Sequence, residues 1–326
     1  MHGPLDARTA SALGSCLRLR TGEEHARCGE GARVLPDLGR IAASVPSLDD
    51  ATRARIETVA KRGRELGRRA RVFGLVGDSI TVSRDFMGPL SARRERPLRI
   101  DDEVQALLTL QNGGSVIDRY RGVAVDKSGD DSFAAFRAAK IGAAAGWATR
   151  AEGGVTPVDE LVRRVSPAVA VLTFGANDAA SKSGPPEAIA DAFDEDIMRA
   201  VHALEAAGVV VILSNEMRHG DQPGVKACPA EDSKRNDWRI AVATTATSAR
   251  AAEIACREHL PFIDLRFAID AATNHGLGPD SVHLSAHHEG AGLLTRAGLD
   301  CGYNARTVVT LIALARVADV IDAAPP

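Results

Sequence analysis

Aromatic residues are scarce in this chain: eight Phe, two Trp and two Tyr among 326 residues. A sequence so poor in flat side chains has little with which to build the stacking platforms that hold single-stranded nucleic acid or long sugar chains. It also lacks a charge excess. Forty Lys and Arg stand against 43 Asp and Glu, a formal net charge of −3, so the basic footprint of a nucleic-acid-binding protein is missing. No stretch approaches the ~20 consecutive apolar residues of a membrane span. The first thirty residues mix Arg, Glu, His and Gly without the apolar centre of a signal peptide. Cysteine is sparse as well. The five present form no C-x-x-C pair, which argues against a cysteine-held zinc and thioredoxin-like chemistry. At 45% hydrophobic and 25% charged residues, the chain is neither disordered nor collagen-like, and it is long enough to bury a core without staples.

Cys16 and Cys28 bracket a polar stretch, LRLRTGEEHAR, while Cys228 and Cys301 sit in loop-like contexts and Cys256 falls on the apolar side of an expected helix. Bridges Cys16/Cys28 and Cys228/Cys301 would suit an oxidising compartment. Five unrelated reduced thiols fit the residues equally well.

What is present is strand and helix in alternation. After an N-terminal stretch with little periodicity, SLDDATRARIETVAKRGRELGRRA reads as a helix over about 47–69, with Ser47 as N-cap and Asp50 in the capping-box position. Short apolar runs without polar alternation then recur at 71–79, 120–126, 168–175, 208–215 and 261–266, the pattern of strands covered on both faces. Helical segments are expected at 130–147, 157–165, 186–207, 235–259 and 304–322. Gly208 reads as the residue that ends the third of these. The alternation predicts a parallel sheet wrapped by helices on both sides. The stretch 83–114, with SARRERPLR and an expected helix IDDEVQALLTLQ, is longer than a normal connection; it reads as a cap over a site or as a surface insertion.

Ligands of parallel α/β sheets bind beyond the carboxyl ends of the strands, and four features fall there. The first strand ends in Gly77-Asp78-Ser79-Ile80-Thr81, a tight turn presenting a serine hydroxyl at the sheet edge; the spacing is not that of a G-x-S-x-G elbow. The run at 168–175 ends in Gly175-Ala176-Asn177-Asp178, where Asn177 either faces the same rim or closes an Asx-turn. A Gly/Pro loop near the C-terminus carries Asp280-Ser281-Val282-His283, a spacing at which one turn can present a carboxylate and an imidazole to one point. The run at 120–126 leads to Ser128-Gly129-Asp130, where Gly129 either offers an unobstructed backbone N–H or merely starts a helix that Asp130 caps.

Together these blocks resemble the SGNH/GDSL hydrolase family, with GDSIT at 77–81, GAND at 175–178, DSVH at 280–283 and Gly129 as the single-residue second block. The resemblance covers about residues 70–320. It implies a three-layer α/β/α sandwich around a five-stranded parallel sheet, with 1–69 an N-terminal extension and 70–326 the hydrolase domain, interrupted by the 83–114 insertion. It also implies a serine esterase needing no cofactor: Ser79 as nucleophile, His283 as its base and then acid, Asp280 orienting His283. The backbone N–H groups of Ser79 and Gly129 and the Asn177 side chain would form the oxyanion hole. Gly77, Asp78, Gly175 and Asp178 would support the turns. Many members are exported, which favours an extracytoplasmic setting and a Cys16/Cys28 bridge.

Two other readings compete. His275, His283, His287, His288 and Glu289 lie close together in sequence and suggest a metal site, but there is no H-E-x-x-H and the intervening residues read as loop. A binding protein that kept the fold is the other. The substrate expected is a small-molecule or glycan ester, with an acetyl-sized acyl group suggested by the scarcity of aromatics; the same residues would serve a lysophospholipase or thioesterase.

Overall fold

The computed structural model describes Cys28 and residues 36–94, 98–125, 127–219 and 238–324. Its helices and strands follow the chain in this order: α1 (Leu38–Ala43), α2 (Asp50–Glu65), β1 (Arg69–Gly77), α3 (Ser79–Val82), β2 (Arg99–Ile100), α4 (Asp102–Leu107), α5 (Val116–Tyr120), β3 (Ala138–Ala139), α6 (Pro157–Val165), β4 (Pro167–Thr173), α7 (Ala176–Ser181), α8 (Pro186–Ala206), β5 (Val210–Ser214), α9 (Trp238–Arg257), β6 (Phe262–Ile263), α10 (Leu265–Ile269), β7 (Leu293–Leu294) and α11 (Gly302–Ala323).

Five strands form one parallel sheet in the order β3-β1-β4-β5-β6. Successive side chains on a strand point to opposite faces, and here both faces are covered. Phe73, Leu75, Val169, Val171, Val210 and Ile212 pack into the layer holding α2 and α11. Val72, Val76, Ala170, Leu172, Val211 and Leu213 pack into the layer holding α6 and α8. That arrangement is the three-layer α/β/α sandwich, and it is why the strand runs are apolar throughout rather than alternating. The register puts Ala139, Gly77, Thr173, Ser214 and Ile263 in one row across the sheet. This row is the carboxyl rim on which the site is built.

Helix α2 shows how local sequence and packing agree. Asp49 caps it, its side chain accepting from Thr52 N at 2.8 Å, so the cap is Asp49 rather than Ser47. Arg62 and Arg64 fall in the last turn, where cations complement the helix dipole. Thr52, Ile56, Val59, Ala60 and Gly63 form its buried stripe.

The largest departure from the expected elements lies at 120–147. Tyr120 ends α5, and the chain after it is not strand; Arg69 holds it by donating to the carbonyls of Ala124 and Val125. No α-helix forms over 130–147; only a short 3-10 turn, Ala145–Thr149, begins at its end. That segment runs beside β1 instead: Phe73 N donates to Ser132 Oγ, and Ala138 and Ala139 supply the edge strand. An alanine-rich run favours helix on propensity, but tertiary packing decides otherwise. Phe133 and Tyr120 meet the Phe73 ring edge-on at 5.3 and 5.1 Å.

In the 83–114 stretch the expected helix shortens to α4. β2 pairs in parallel with β7, which ties this stretch to the chain just after the His283 loop. The disulfide is also not one of those expected. Cys28 is bonded to Cys301 across a separation of 273 residues, and Cys301 lies in the buried N-cap of α11 rather than in a loop. Cys256 is free and exposed, on the solvent side of α9. Cys16 and Cys228 lie outside the described residues.

Candidate active site

β1 delivers Gly77 to the rim, and the backbone there has no room for a side chain: a Cβ on Gly77 would stand 2.3 Å from Thr81 Oγ1 and 2.7 Å from the Thr173 carbonyl. Glycine therefore lets the chain turn at once into α3. Asp78 caps this helix, its Oδ1 accepting from Ile80 N, and Ser79 is its first residue. A four-residue helix has too few internal bonds to hold itself, and two arginines, the buried Arg306 and the partly buried Arg137, hold it. Arg306 donates to the Ile80 carbonyl and to Thr81 Oγ1, with its guanidinium 3.7 Å from the centre of the Phe86 ring. Arg137 donates to the carbonyls of Thr81, Ser83, Phe86 and Phe133. Burial pulls both guanidinium groups down to about 10, so both stay charged at neutral pH.

His283 comes from a narrow turn. Leu277 bridges Leu284 in antiparallel fashion, and Gly278 N donates to the His283 carbonyl. Asp280 Oδ1 accepts from the backbone N–H of Val282 and of His283, while Oδ2 lies 2.6 Å from His283 Nδ1. Burial alone would push the Asp280 carboxyl up; the His283 side chain and the two backbone donors outweigh it and hold it below the ordinary value. An ionised Asp280 can only accept, so it places the proton on Nδ1. Nε2 is then free to accept from Ser79 Oγ, 3.1 Å away. The side chains of His283 and Asp280 are 44% and 53% exposed, which leaves this chain of three groups open to solvent.

Asn177 stands in the first turn of α7, after Gly175. Its Nδ2 donates to Asp78 Oδ2 at 2.7 Å. One amide hydrogen is used in this way, and the second remains. Asp178, buried behind it, accepts from Ala145 N and pairs with Lys182, tying α7 to the loop that follows β3.

Gly129 is not brought to this point. It precedes Ser132, which sits beside Phe73, four residues or roughly 13 Å before Gly77 along β1, and its neighbour is the Arg93 guanidinium. The residue in the corresponding place at the rim is Gly142. Lys140 N donates to the Gly77 carbonyl, Gly142 follows two residues later at φ +75°, and nothing lies within 4 Å of where its Cβ would be. A strand expected at 120–126 places the rim glycine thirteen residues earlier, at Gly129, than the strand observed at 138–139 does.

Two more residues were missed. Glu216 lies two residues past the end of β5, and Arg306 stands in the buried N-terminal half of α11, ahead of its other charged residues Arg316, Asp319 and Asp322; Glu216 and Arg306 are almost fully buried. A charged residue just past a buried strand, or within the buried half of a helix, is the available signal.

The histidines diverge. His275 bonds to the Asp270 carbonyl, His287 stacks on His288 at 4.2 Å, and His283 turns to Ser79. Among the described residues, no group of three or more His, Cys, Asp or Glu is placed to hold a metal ion. No described helix is long and apolar enough to cross a membrane. Cavities begin where α3 ends. One of about 930 Å³ is lined by Arg84, Asp85, Arg94 and His288 among others, and one of about 410 Å³ by Val82, Arg84, Arg94, Arg137 and Ala139 among others.

Among solved structures, the chain is similar to a GDSL-like lipase from Bacteroides thetaiotaomicron, at 13% identity and TM-score 0.43, covering 79% of this chain and 98% of that one. It is also similar to a carbohydrate acetylesterase from Sinorhizobium meliloti, at 13% identity and TM-score 0.42, covering 74% and 99%. A third is an acetyl-xylooligosaccharide esterase from Geobacillus, at 14% identity and TM-score 0.38, covering 74% and 93%. No curated protein matches the chain in sequence. Residues 75–287 match the profile of the GDSL-like lipase/acylhydrolase family, and the stretch they span runs from β1 through the His283 loop. The chain belongs to that family of hydrolases.

Proposed function

We propose that this hydrolase is a serine esterase acting through an acyl-enzyme, with a short acyl group, acetyl in the first instance, on a carbohydrate or other small polar molecule. The observation that carries the reading is His283, with one ring nitrogen 3.1 Å from Ser79 Oγ and the other 2.6 Å from Asp280. Ser79 Oγ attacks the ester carbon as its proton passes to His283 Nε2. Asp280 stabilises the imidazolium. The oxyanion is met by the backbone N–H of Ser79, by the second amide hydrogen of Asn177 and by the backbone N–H of Gly142, which takes the role expected of Gly129. His283 then gives its proton to the departing alcohol. A water deprotonated by His283 releases the acid and restores Ser79.

The acyl and alcohol preferences rest on the surroundings. The His283 and Asp280 side chains are open to solvent, and the cavities at the end of α3 are lined by arginines, surroundings that favour a polar substrate over a long acyl chain. A hydrolysis series from acetyl to long-acyl p-nitrophenyl esters, run on the wild type and Ser79→Ala, tests both points. Activity highest on acetyl and lost in Ser79→Ala is the expected result. A preference for long chains moves the assignment to a lipase or thioesterase. Failure of a fluorophosphonate to label Ser79 in folded protein would mean a binding protein.

A further inference from the structure

Beside the Ser79 turn, two carboxyl groups are buried against each other. Asp78 is 2% exposed and Glu216 is 1% exposed, and their side chains are within hydrogen-bonding reach. Every other oxygen in the pair is accounted for by a donor. Asp78 Oδ1 takes the Ile80 N–H and Oδ2 takes the Asn177 amide; Glu216 Oε2 takes the Ala176 N–H at 2.8 Å. Glu216 Oε1 alone finds no donor among the described residues, and the side chain within hydrogen-bonding reach of Glu216, that of Asp78, offers only acceptors when ionised. Two ionised carboxylates cannot share this space, whereas one proton between them turns the repulsion into a hydrogen bond. The cluster's charge points the same way. The buried Arg306 guanidinium lies beside both acids, so one proton leaves one negative and one positive charge, a neutral buried group.

We infer that Glu216 is a positioning residue which, as the neutral acid, donates a hydrogen bond to ionised Asp78 and so fixes both the Ser79 turn and the Asn177 amide. Asp78 is the hub: one of its oxygens sets the N-terminus of α3 and the other aims Asn177. Glu216 grips the same two elements, through Asp78 and through the Ala176 N–H of α7. Burial and the neighbouring Asp78 charge raise Glu216 well above its ordinary value, in keeping with a protonated side chain at neutral pH. Glu216 touches no substrate in this scheme. This inference rests on the esterase reading for its effect on rate, but the protonation state does not.

The test compares Glu216→Gln with Glu216→Leu in the full chain. Gln reproduces both bonds, its carbonyl accepting from Ala176 N and its amide donating to Asp78, and its kcat should stay close to wild type. Leu keeps the volume and removes the donor. Its kcat should fall by about 10²-fold, the scale of a misplaced reacting group, with KM unchanged and with the native circular dichroism spectrum retained. Infrared difference spectroscopy reads the proton directly: wild type at neutral pH should show the carbonyl stretch of a protonated carboxylic acid, and Glu216→Gln should lack it. Absence of that band in wild type overturns the inference whether or not the protein hydrolyses esters. Wild-type kcat in folded Glu216→Leu, or a Glu216→Gln as impaired as the Leu variant, overturns it as well.

Discussion

His283 Nε2 lies 3.1 Å from Ser79 Oγ, although 204 residues separate the two in the chain. The parallel sheet closes that gap: Ser79 stands at the carboxyl end of a central strand, and the turn after β6 returns over the same rim. The relationship makes a direct prediction for ester turnover. Ser79→Ala should abolish the measurable burst and steady-state hydrolysis. Asp280→Asn should keep the fold but lower kcat by up to about 10⁴-fold, because an amide at this position no longer favours the proton on Nδ1. Stopped-flow and steady-state assays on one acetyl ester check both.

Asn177→Ala should lower kcat by about 10²–10³-fold, the usual cost of one oxyanion donor. The variant also strips Asp78 Oδ2 of its donor, so a lower melting temperature should accompany the kinetic loss. Calorimetry alongside kinetics separates the two effects. Near-normal kcat in a folded variant would remove Asn177 from the oxyanion hole.

Gly129→Ala should act on stability alone. At φ +79° an alanine pays roughly 1–2 kcal/mol in backbone strain, visible as a lower midpoint in urea, while kcat and KM for the acetyl ester stay at wild type. A loss of kcat at an unchanged midpoint would return Gly129 to the oxyanion hole in place of Gly142.

Reducing the Cys28–Cys301 bridge should destabilise the protein by about 2–4 kcal/mol, read as a lower melting temperature in dithiothreitol. Cys301 adjoins Gly302 and Tyr303, whose backbone N–H groups donate to Ser285 Oγ and to the Ser285 carbonyl, two residues from His283. Activity should therefore fall before global unfolding as temperature rises in the reduced protein. A Cys28→Ser variant checks the assignment without reductant.

The buried acid pair predicts a pH effect on stability with a definite sign. Glu216 has a raised value when folded, so its contribution is complete below the ordinary glutamate value of about 4.3 and is lost as pH rises towards the folded value. Asp78, also raised by burial, acts in the same direction, and Arg306, which faces both, opposes it. Melting temperatures of wild type and Glu216→Gln measured from pH 4 upward should diverge, the Gln variant gaining on wild type as pH increases. Parallel curves would count against a shared proton.

The parts of the fold read correctly from sequence are those where local preference and burial agree. Pro157–Val165 is bounded by a Thr156 cap and a proline in its first turn, and β1, β4 and β5 are apolar runs between turn residues; these were placed to within two residues or so. The region 120–147 was not. Its alanines prefer helix, and its role as an edge strand depends on Phe73, Phe133 and Tyr120 meeting in the layer below. The strand expected at 120–126 also makes Gly129 the rim glycine, whereas the strand observed at 138–139 brings Gly142 to the rim.

Sequence alone determined the chemistry on offer: a serine in a glycine-flanked turn, an aspartate three residues before a histidine, an asparagine after a buried strand, each a short local pattern whose side chains are set by adjacent backbone. The tertiary structure decided which groups meet. That Arg137 and Arg306 hold the Ser79 helix, that Cys28 finds Cys301, and that Glu216 lies against Asp78 all depend on contacts between segments far apart in the chain. Such contacts are made by packing around a shared core, and no local preference encodes them.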